Sequence, residues 1–441
     1  MIAFEPLPRA CAAVALVGLA MLGGCDEVVP TSLDPNRFPE SPVTVELHVD
    51  WDGFGSGFRT YGGYGSPADL PNSVLASDFR GELDSHTIVR WGAYPVSVSV
   101  RDTTGTTRPD SALTYIGGRF VVYFDTLASV TDGPVEVELG ATTVEWDDRT
   151  SNWWSSVDTS GNSRLWPEPG GGPVEPLGIA TWNPEEGDSL AFEIDSARIA
   201  EWADTADVTR GARLRLITPG ARLDVRGTGL RLHTRPSLHP DSTFYLHVVQ
   251  EDLTFVYDPY PTAPEEGGRI GGVPAWRTVF EVGSLTSLTG PPELCAAVGC
   301  PASFEPSQIN YAAIVLHAKA VAAAFRPSDS VTVDARPVLA SASLPKSPLG
   351  PSLTGLLGEK VAPEAFQPEG RNAEIEIPVT SFVRDVVRGV DGRGDPVTGT
   401  LALLARVEPA SLPYAAFHGP EGEHPPYLKV VISVSRSGSG S

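Results

Sequence analysis

Cysteine, methionine and basic side chains are all scarce in this chain, which has four Cys, two Met, and 32 Lys plus Arg against 55 Asp plus Glu, a net charge of −23 over 441 residues. That balance excludes a surface that tracks nucleic-acid phosphates and points to partners that are neutral, cationic or reached through metal ions. No stretch reaches the ~20 consecutive apolar residues of a membrane helix. Long helical periodicity is also missing. No His-Glu-x-x-His, Gly-x-Ser-x-Gly, Walker or dinucleotide-type glycine pattern occurs, and the eight histidines are scattered, so the expectation is a protein without catalytic activity, with a polysaccharide-degrading enzyme as the lesser alternative.

What the chain has in quantity is 45 Gly, 41 Pro and 41% hydrophobic residues. That mixture suits many short strands joined by turns, with enough apolar surface for real cores. Segments such as Val43–Val49, Pro95–Val100, Arg119–Phe124, Val135–Leu139 and Ser189–Ile194 alternate apolar and polar residues at the strand period of two. The fold class expected is all-β, as two tandem antiparallel, jelly-roll-like β-sandwiches.

The first 24 residues read differently. Arg9 precedes the apolar run Ala10–Met21, which fits the hydrophobic core of a signal peptide and is short for a membrane span. It closes in Leu22-Gly23-Gly24-Cys25, which resembles the lipobox of bacterial lipoproteins. The resemblance implies cleavage before Cys25 and a diacylglycerol on its thiol, anchoring the chain to a membrane through lipid alone. It implies a cell-envelope location, at the outer membrane or cell surface; Asp26 resembles the inner-membrane retention signal of enteric bacteria and leaves that membrane open.

Residues 25–42, polar and broken by Pro30 and Pro35, suit a flexible tether. The expected organisation continues with a first module over 43–258, a Pro- and Gly-rich linker over 259–268, a second module over 269–435 and a disordered Gly-Ser tail over 436–441. Its basis is an internal repeat. Phe192–Trp202 aligns with Ile375–Asp385 at a spacing of 183 residues, each reading as a strand, a Ser or Thr cap and an amphipathic turn. Tyr245–Val249 aligns with Tyr427–Val431 at a spacing of 182, and Arg119–Phe124 with Arg277–Phe280 is a further candidate pair.

The later repeat carries a second resemblance. Ile377–Gly389, Gly399–Leu404, Ala415–Gly419 and Pro425–Ile432 resemble the C-terminal half of the DNRLRE-type β-sandwich modules of secreted bacterial proteins. Val144-Glu-Trp146, Trp153-Trp154 and Trp166–Gly171 look like the Trp-bearing segment of the same modules. The likeness covers about half of the mature chain and lacks the hallmark hexapeptide; it implies carbohydrate-binding or cell-surface attachment modules and transfers no ligand residues.

Several residues are candidates for chemistry. Cys295 and Cys300 suit a local disulfide in an oxidising envelope, since a metal site would need two further soft ligands nearby. Trp146, Asp147, Trp153, Trp154 and Trp166 offer aromatic faces and a carboxylate for sugar rings; Trp146 also suits a core and the others a loop cover. Taken together, the loop from Asp147 to Gly172 is the expected polysaccharide site. The pairs His233 with His239 and His418 with His424 have spacing that could ligate a metal, although functionless loop histidines are the plainer reading. Asp391–Asp395 has the acid-and-glycine look of a structural calcium turn, and no other cofactor is implied. The remaining class of partner is an envelope protein docked on exposed strand edges.

Overall fold

The computed structural model describes residues 43–101, 104–283, 285 and 290–434; Cys25 and the segments expected as signal peptide, tether and tail lie outside them. The fold is all-β and its strand pairs are antiparallel. In chain order the strands are β1 (Val43–Asp50), β2 (Gly55–Tyr64), β3 (Ser73–Phe79), β4 (Leu83–Trp91), β5 (Val98–Arg101), β6 (Thr107–Asp110), β7 (Leu113–Val130), β8 (Val135–Thr142), β9 (Ser155–Thr159), β10 (Asn162–Leu165), β11 (Val174–Trp182), β12 (Ser189–Ile194), β13 (Ala212–Leu216), β14 (Ala221–Pro236), β15 (Phe244–Val248) and β16 (Gln250–Asp258). There follow β17 (Gly268–Gly271), β18 (Ala275–Val282), β19 (Ile309–Lys319), β20 (Val331–Pro337), β21 (Glu359–Val361), β22 (Glu374–Pro378), β23 (Thr400–Ala405), β24 (Tyr414–Phe417) and β25 (Tyr427–Val434).

Two sandwiches result. In the first, β11-β8-β13-β4-β16 faces β12-β7-β14-β15, and β3 joins the layers by pairing with both β4 and β14. Period-two alternation sends Phe120, Val122 and Phe124 of β7 inward against Val135, Val137 and Leu139 of β8, all buried in one cluster. In the second, β2-β18-β23-β20-β21 faces β22-β19-β25-β1, joined by β17 and β24. Here Ile314, Leu428 and Val430 meet Phe280, Leu401 and Leu403.

The pairing diagrams of the two sandwiches match strand for strand when β24 and β25 together stand for β14. The helix Ser196–Trp202 follows β12 and the helix Thr380–Arg388 follows β22, which is the first sequence repeat seen in space. Their starts differ in detail. Asp195 caps the first by accepting from Arg198 N at 2.8 Å, whereas Thr380 at the second spends its hydroxyl on Ala312 of β19, accepting from its N at 2.9 Å.

The match also corrects the expected boundary. β1 lies on β25, Val43 opposite Val434, and β2 lies on β18, so residues 43–64 belong to the second sandwich and not to a first module beginning at 43. Their counterparts in the first sandwich are β15 and β16, which open the second half of the chain. Each repeat therefore lends its first two strands to the other's sandwich. Leu47-His48-Val49 and Leu246-His247-Val248 repeat the same tripeptide on the two exchanged strands. The pairing of Tyr245–Val249 with Tyr427–Val431 is displaced by one strand, because β25 occupies the place of β14. Arg119–Phe124 and Arg277–Phe280 are not equivalent either: β7 corresponds to β19 and β18 to β4.

The sandwiches share a core. Val74, Ala76, Phe255 and Tyr257 of the first are buried in the same cluster as Ile270, Phe325 and Phe417 of the second. Tyr257 donates its hydroxyl to the Val273 carbonyl, and its ring stands 6.4 Å from that of Phe325. The connection expected as a linker over 259–268 is docked at its end: Gly267 has φ +85°, and a Cβ there would lie 2.3 Å from the Phe417 carbonyl oxygen.

Truncating Leu47, 4% exposed, should cost about 2–5 kcal/mol. In hydrogen exchange, Leu47→Ala is expected to release protection in β25 and β19, hundreds of residues away, and not in β3 and β4, which follow it in sequence.

Candidate binding site

The connection from β8 to β11 folds over the outer face of the β4–β16 pair and contains the β9–β10 hairpin. Trp146 and Trp166, 3% and 4% exposed, pack with Ile88 of β4 and Val256 of β16, and Trp153 closes the cluster. Burial of three indoles is ample reason for this polar connection to adhere to a sheet. The Arg90 guanidinium lies 4.2 Å over the Trp146 ring while donating to Asp252 at 2.8 Å and to the Trp146 carbonyl at 3.0 Å. Trp166 Nε1 donates to the Asn152 carbonyl at 2.9 Å.

Asp147 is a turn former. Its Oδ1 accepts from Thr150 N at 2.9 Å and Thr150 Oγ1 at 2.8 Å, an arrangement that holds the loop start. Trp153 leans on His86, ring centroids 4.9 Å apart. His86 Nδ1 donates to the Gly170 carbonyl at 2.6 Å, and Gly170 at φ +83° admits no Cβ, which would meet His86 Nδ1 and Trp153 at 2.9 Å. Burial pushes the His86 pKa down from 6.5 to about 3, against the pull of that hydrogen bond.

The expected tryptophan platform is therefore divided. Trp146 and Trp166 fill a core and do not offer their faces to a ligand, while Trp154, 54% exposed, stands outside it. Its backbone is fixed on both sides, N donating to Asn152 Oδ1 at 2.9 Å and the carbonyl accepting from Trp166 N at 3.0 Å. Leu165, which pairs with Ser155 next to Trp154, is also exposed. The second sandwich uses the same device without tryptophan: Val338, Leu344 and Leu349 of the β20–β21 connection cover Val279, Ala402 and Tyr61.

Cys295 and Cys300 are bonded, with Cα atoms 5.0 Å apart. Asp391 Oδ1 accepts from the amides of Arg393 at 2.8 Å and Asp395 at 2.9 Å; those bonds hold its carboxyl below the usual range and close the loop with its own donors. His233 sets its ring edge-on to Tyr245 at 5.1 Å.

The other histidine pair gains a member that sequence spacing did not reveal. His317, on β19, has its ring 5.4 Å from that of His424, which in turn is 5.5 Å from His418. Burial and the neighbouring His424 lower the pKa of His418. Tyr427 stands between His317 and His48, at 6.1 and 5.0 Å, so half of the chain's histidines share one outer face of the second sandwich. Among the described residues no group of three or more His, Cys, Asp or Glu side chains is placed so that it could hold a metal ion.

Sequence reasoning also missed an open cleft of about 420 Å³ where the sandwiches meet, lined by Asn72, Arg222, Asp224, Asp329, Arg406 and Tyr414 among others. Arg222 and Asp224 pair at 2.9 Å, and Arg269 covers the Tyr414 ring at 4.2 Å, so its main polar and aromatic groups are already engaged. Among the described residues no helix is long and apolar enough to cross a membrane. No protein-family model matches the chain, and no curated protein matches it in sequence.

Two outcomes follow for stability. Trp166→Ala should cost about 3–5 kcal/mol in urea unfolding, whereas Trp154→Ala should change stability by no more than ~0.5 kcal/mol. His86 is neutral when folded and binds a proton readily only when unfolded. Its contribution is therefore intact above pH 6.5 and is lost as pH falls toward about 3; His86→Phe should flatten that part of the stability profile.

Proposed function

We propose that this is a lipid-anchored envelope protein that displays two β-sandwiches, catalyses no reaction and binds polysaccharide through the rim of the β8–β11 loop. The observation that carries this reading is Trp154: a large ring 54% exposed on a hairpin made rigid by three buried or half-buried indoles. An ordered aromatic held out to solvent stacks on a sugar ring with little loss of entropy. The lipobox-like Leu22–Cys25 supplies the membrane attachment, and the resemblance to DNRLRE-type modules agrees with a surface-binding role. The charge of −23 favours neutral or cationic glycans, or anionic ones bridged by cations.

A second reading, docking of an envelope protein, draws on β1, which ends its layer with β25 as its one strand partner among the described residues. Such an edge can accept an added strand.

Affinity electrophoresis of the full chain through gels containing neutral and charged polysaccharides tests the first reading. At least one glycan should retard the protein, and Trp154→Ala should weaken that binding roughly tenfold or more, with Cys25→Ser moving the protein from the membrane to the soluble fraction. Absence of retardation, together with co-purification of an envelope protein lost on Thr44→Pro in β1, would favour the second.

A further inference from the structure

The outer face of β12, β7, β14 and β15 in the first sandwich carries charge that the fold does not neutralise. Arg119 of β7 stands directly opposite Arg231 of β14, and Arg231 directly opposite His247 of β15. Like charges placed across a ladder destabilise it. The row's carboxylate is Glu193 at its β12 end, with Oε1 3.5 Å from Arg119 Nε. Arg231 has the Tyr245 ring 5.0 Å from its guanidinium instead, and the buried Nε of each arginine lacks a hydrogen-bond partner. The matching face of the second sandwich is built otherwise: Lys429 of β25 lies 3.6 Å from Glu46 and 3.4 Å from Glu376. In a chain of net charge −23, an arginine pair left in excess over its carboxylates is a local exception that attracts anions.

Beside that row the sheet is hollow. Along the strands the next residues to face outward are Ala191, Val121 and Gly229, then Ser189 and Tyr123, and with the arginines they line an open groove of about 280 Å³. Gly229 has no positive φ, and a Cβ there would meet nothing closer than Tyr123 at 3.9 Å. Neither backbone conformation nor packing requires glycine at that point, which suits a place where a ligand approaches the strand. Tyr123, 44% exposed, closes the far side. It lies four residues from Arg119 on the same strand, about 13 Å, so the groove exceeds the size of a lone inorganic anion. A sheet face offers no free backbone edge to an acidic peptide, whereas an aromatic ring beside charged donors matches a sugar that carries acid groups.

We propose that this groove binds a chain of carboxylate-bearing sugars, with Arg119 and Arg231 donating to the carboxylates through their remaining N–H groups and Tyr123 packing against a sugar ring. The site lies on the layer opposite the one that carries Trp154, and either site can fail without the other.

Calorimetric titration of the full chain with oligogalacturonate and with oligoglucuronate, against methyl-esterified oligogalacturonate, tests the assignment. At least one acid form should bind, more weakly as salt is raised, and the ester should bind roughly tenfold less tightly or worse. Arg119→Ala plus Arg231→Ala should lower affinity for the acid form roughly tenfold or more without lowering the unfolding midpoint, because the change removes a like-charge pair. Gly229→Val, which fills the groove with a strand-compatible side chain, should also weaken binding with far-ultraviolet circular dichroism unchanged, and Trp154→Ala should bind the acid form as the parent does. The proposal is overturned if neither acid form binds, if the ester binds equally well, if the arginine double variant or Gly229→Val binds as tightly as the parent, or if Trp154→Ala alone abolishes binding. Equal binding of polyglutamate would overturn it in favour of an acidic protein segment.

Discussion

Antiparallel pairing across almost the full length of the chain is the constraint on which the rest depends. Val43 opposes Val434 and Asp50 opposes Tyr427, so the second sandwich has its complete four-strand layer only when both ends of the described chain are in place. The reciprocal loan of β15 and β16 to the first sandwich gives the same dependence in the opposite direction. With Tyr257 and Phe255 buried in the second sandwich's core cluster, the modules share strands, hydrophobic surface and the docked turn at Gly267. They behave as one structural body made from two repeats.

Within that body the long β8–β11 and β20–β21 connections solve a common problem. A five-strand layer has an outer face, and apolar residues such as Ile88 and Val256, or Val279 and Ala402, must be kept from water. The first repeat covers them with indoles and the second with aliphatic side chains. Once the covering work of Trp146, Trp153 and Trp166 is recognised, Trp154 stands apart because the core does not need it. A residue whose burial explains its presence says little about function; an exposed tryptophan on a fixed backbone has no such explanation.

Local features were legible in the sequence, and distant ones were not. Alternation in Arg119–Phe124 and Ser189–Ile194 marked real strands because side-chain direction has a strict period of two. Cys295 and Cys300 were close enough for their bond to be read from spacing. The strand-plus-helix repeat at Phe192 and Ile375 was visible because both parts are contiguous. By contrast, strand partnership is set by hydrogen bonds between distant segments, and nothing in Val43–Asp50 names Tyr427–Val434 as its partner. The Leu-His-Val tripeptide shared by β1 and β15 was the available signal of the exchange. His317 could not be joined to His418 and His424 by spacing, since only the β19–β24 pairing brings them together.

The shared tripeptide has a kinetic consequence. Synthesis adds about 5–20 residues per second, so β1 precedes β25 by an interval on the order of tens of seconds, and even β15, which follows β14 closely, is added about 1–2 s after β14 is complete. During that interval β1, carrying Leu47-His48-Val49, can occupy the berth on β14 that Leu246-His247-Val248 later fills. A chain that folds as it emerges is thus drawn toward an unexchanged isomer, whereas one held extended until its last strand is available can choose between both pairings at once. Which form accumulates is then decided by the timing of release into the folding compartment as much as by the energies of the finished sandwiches.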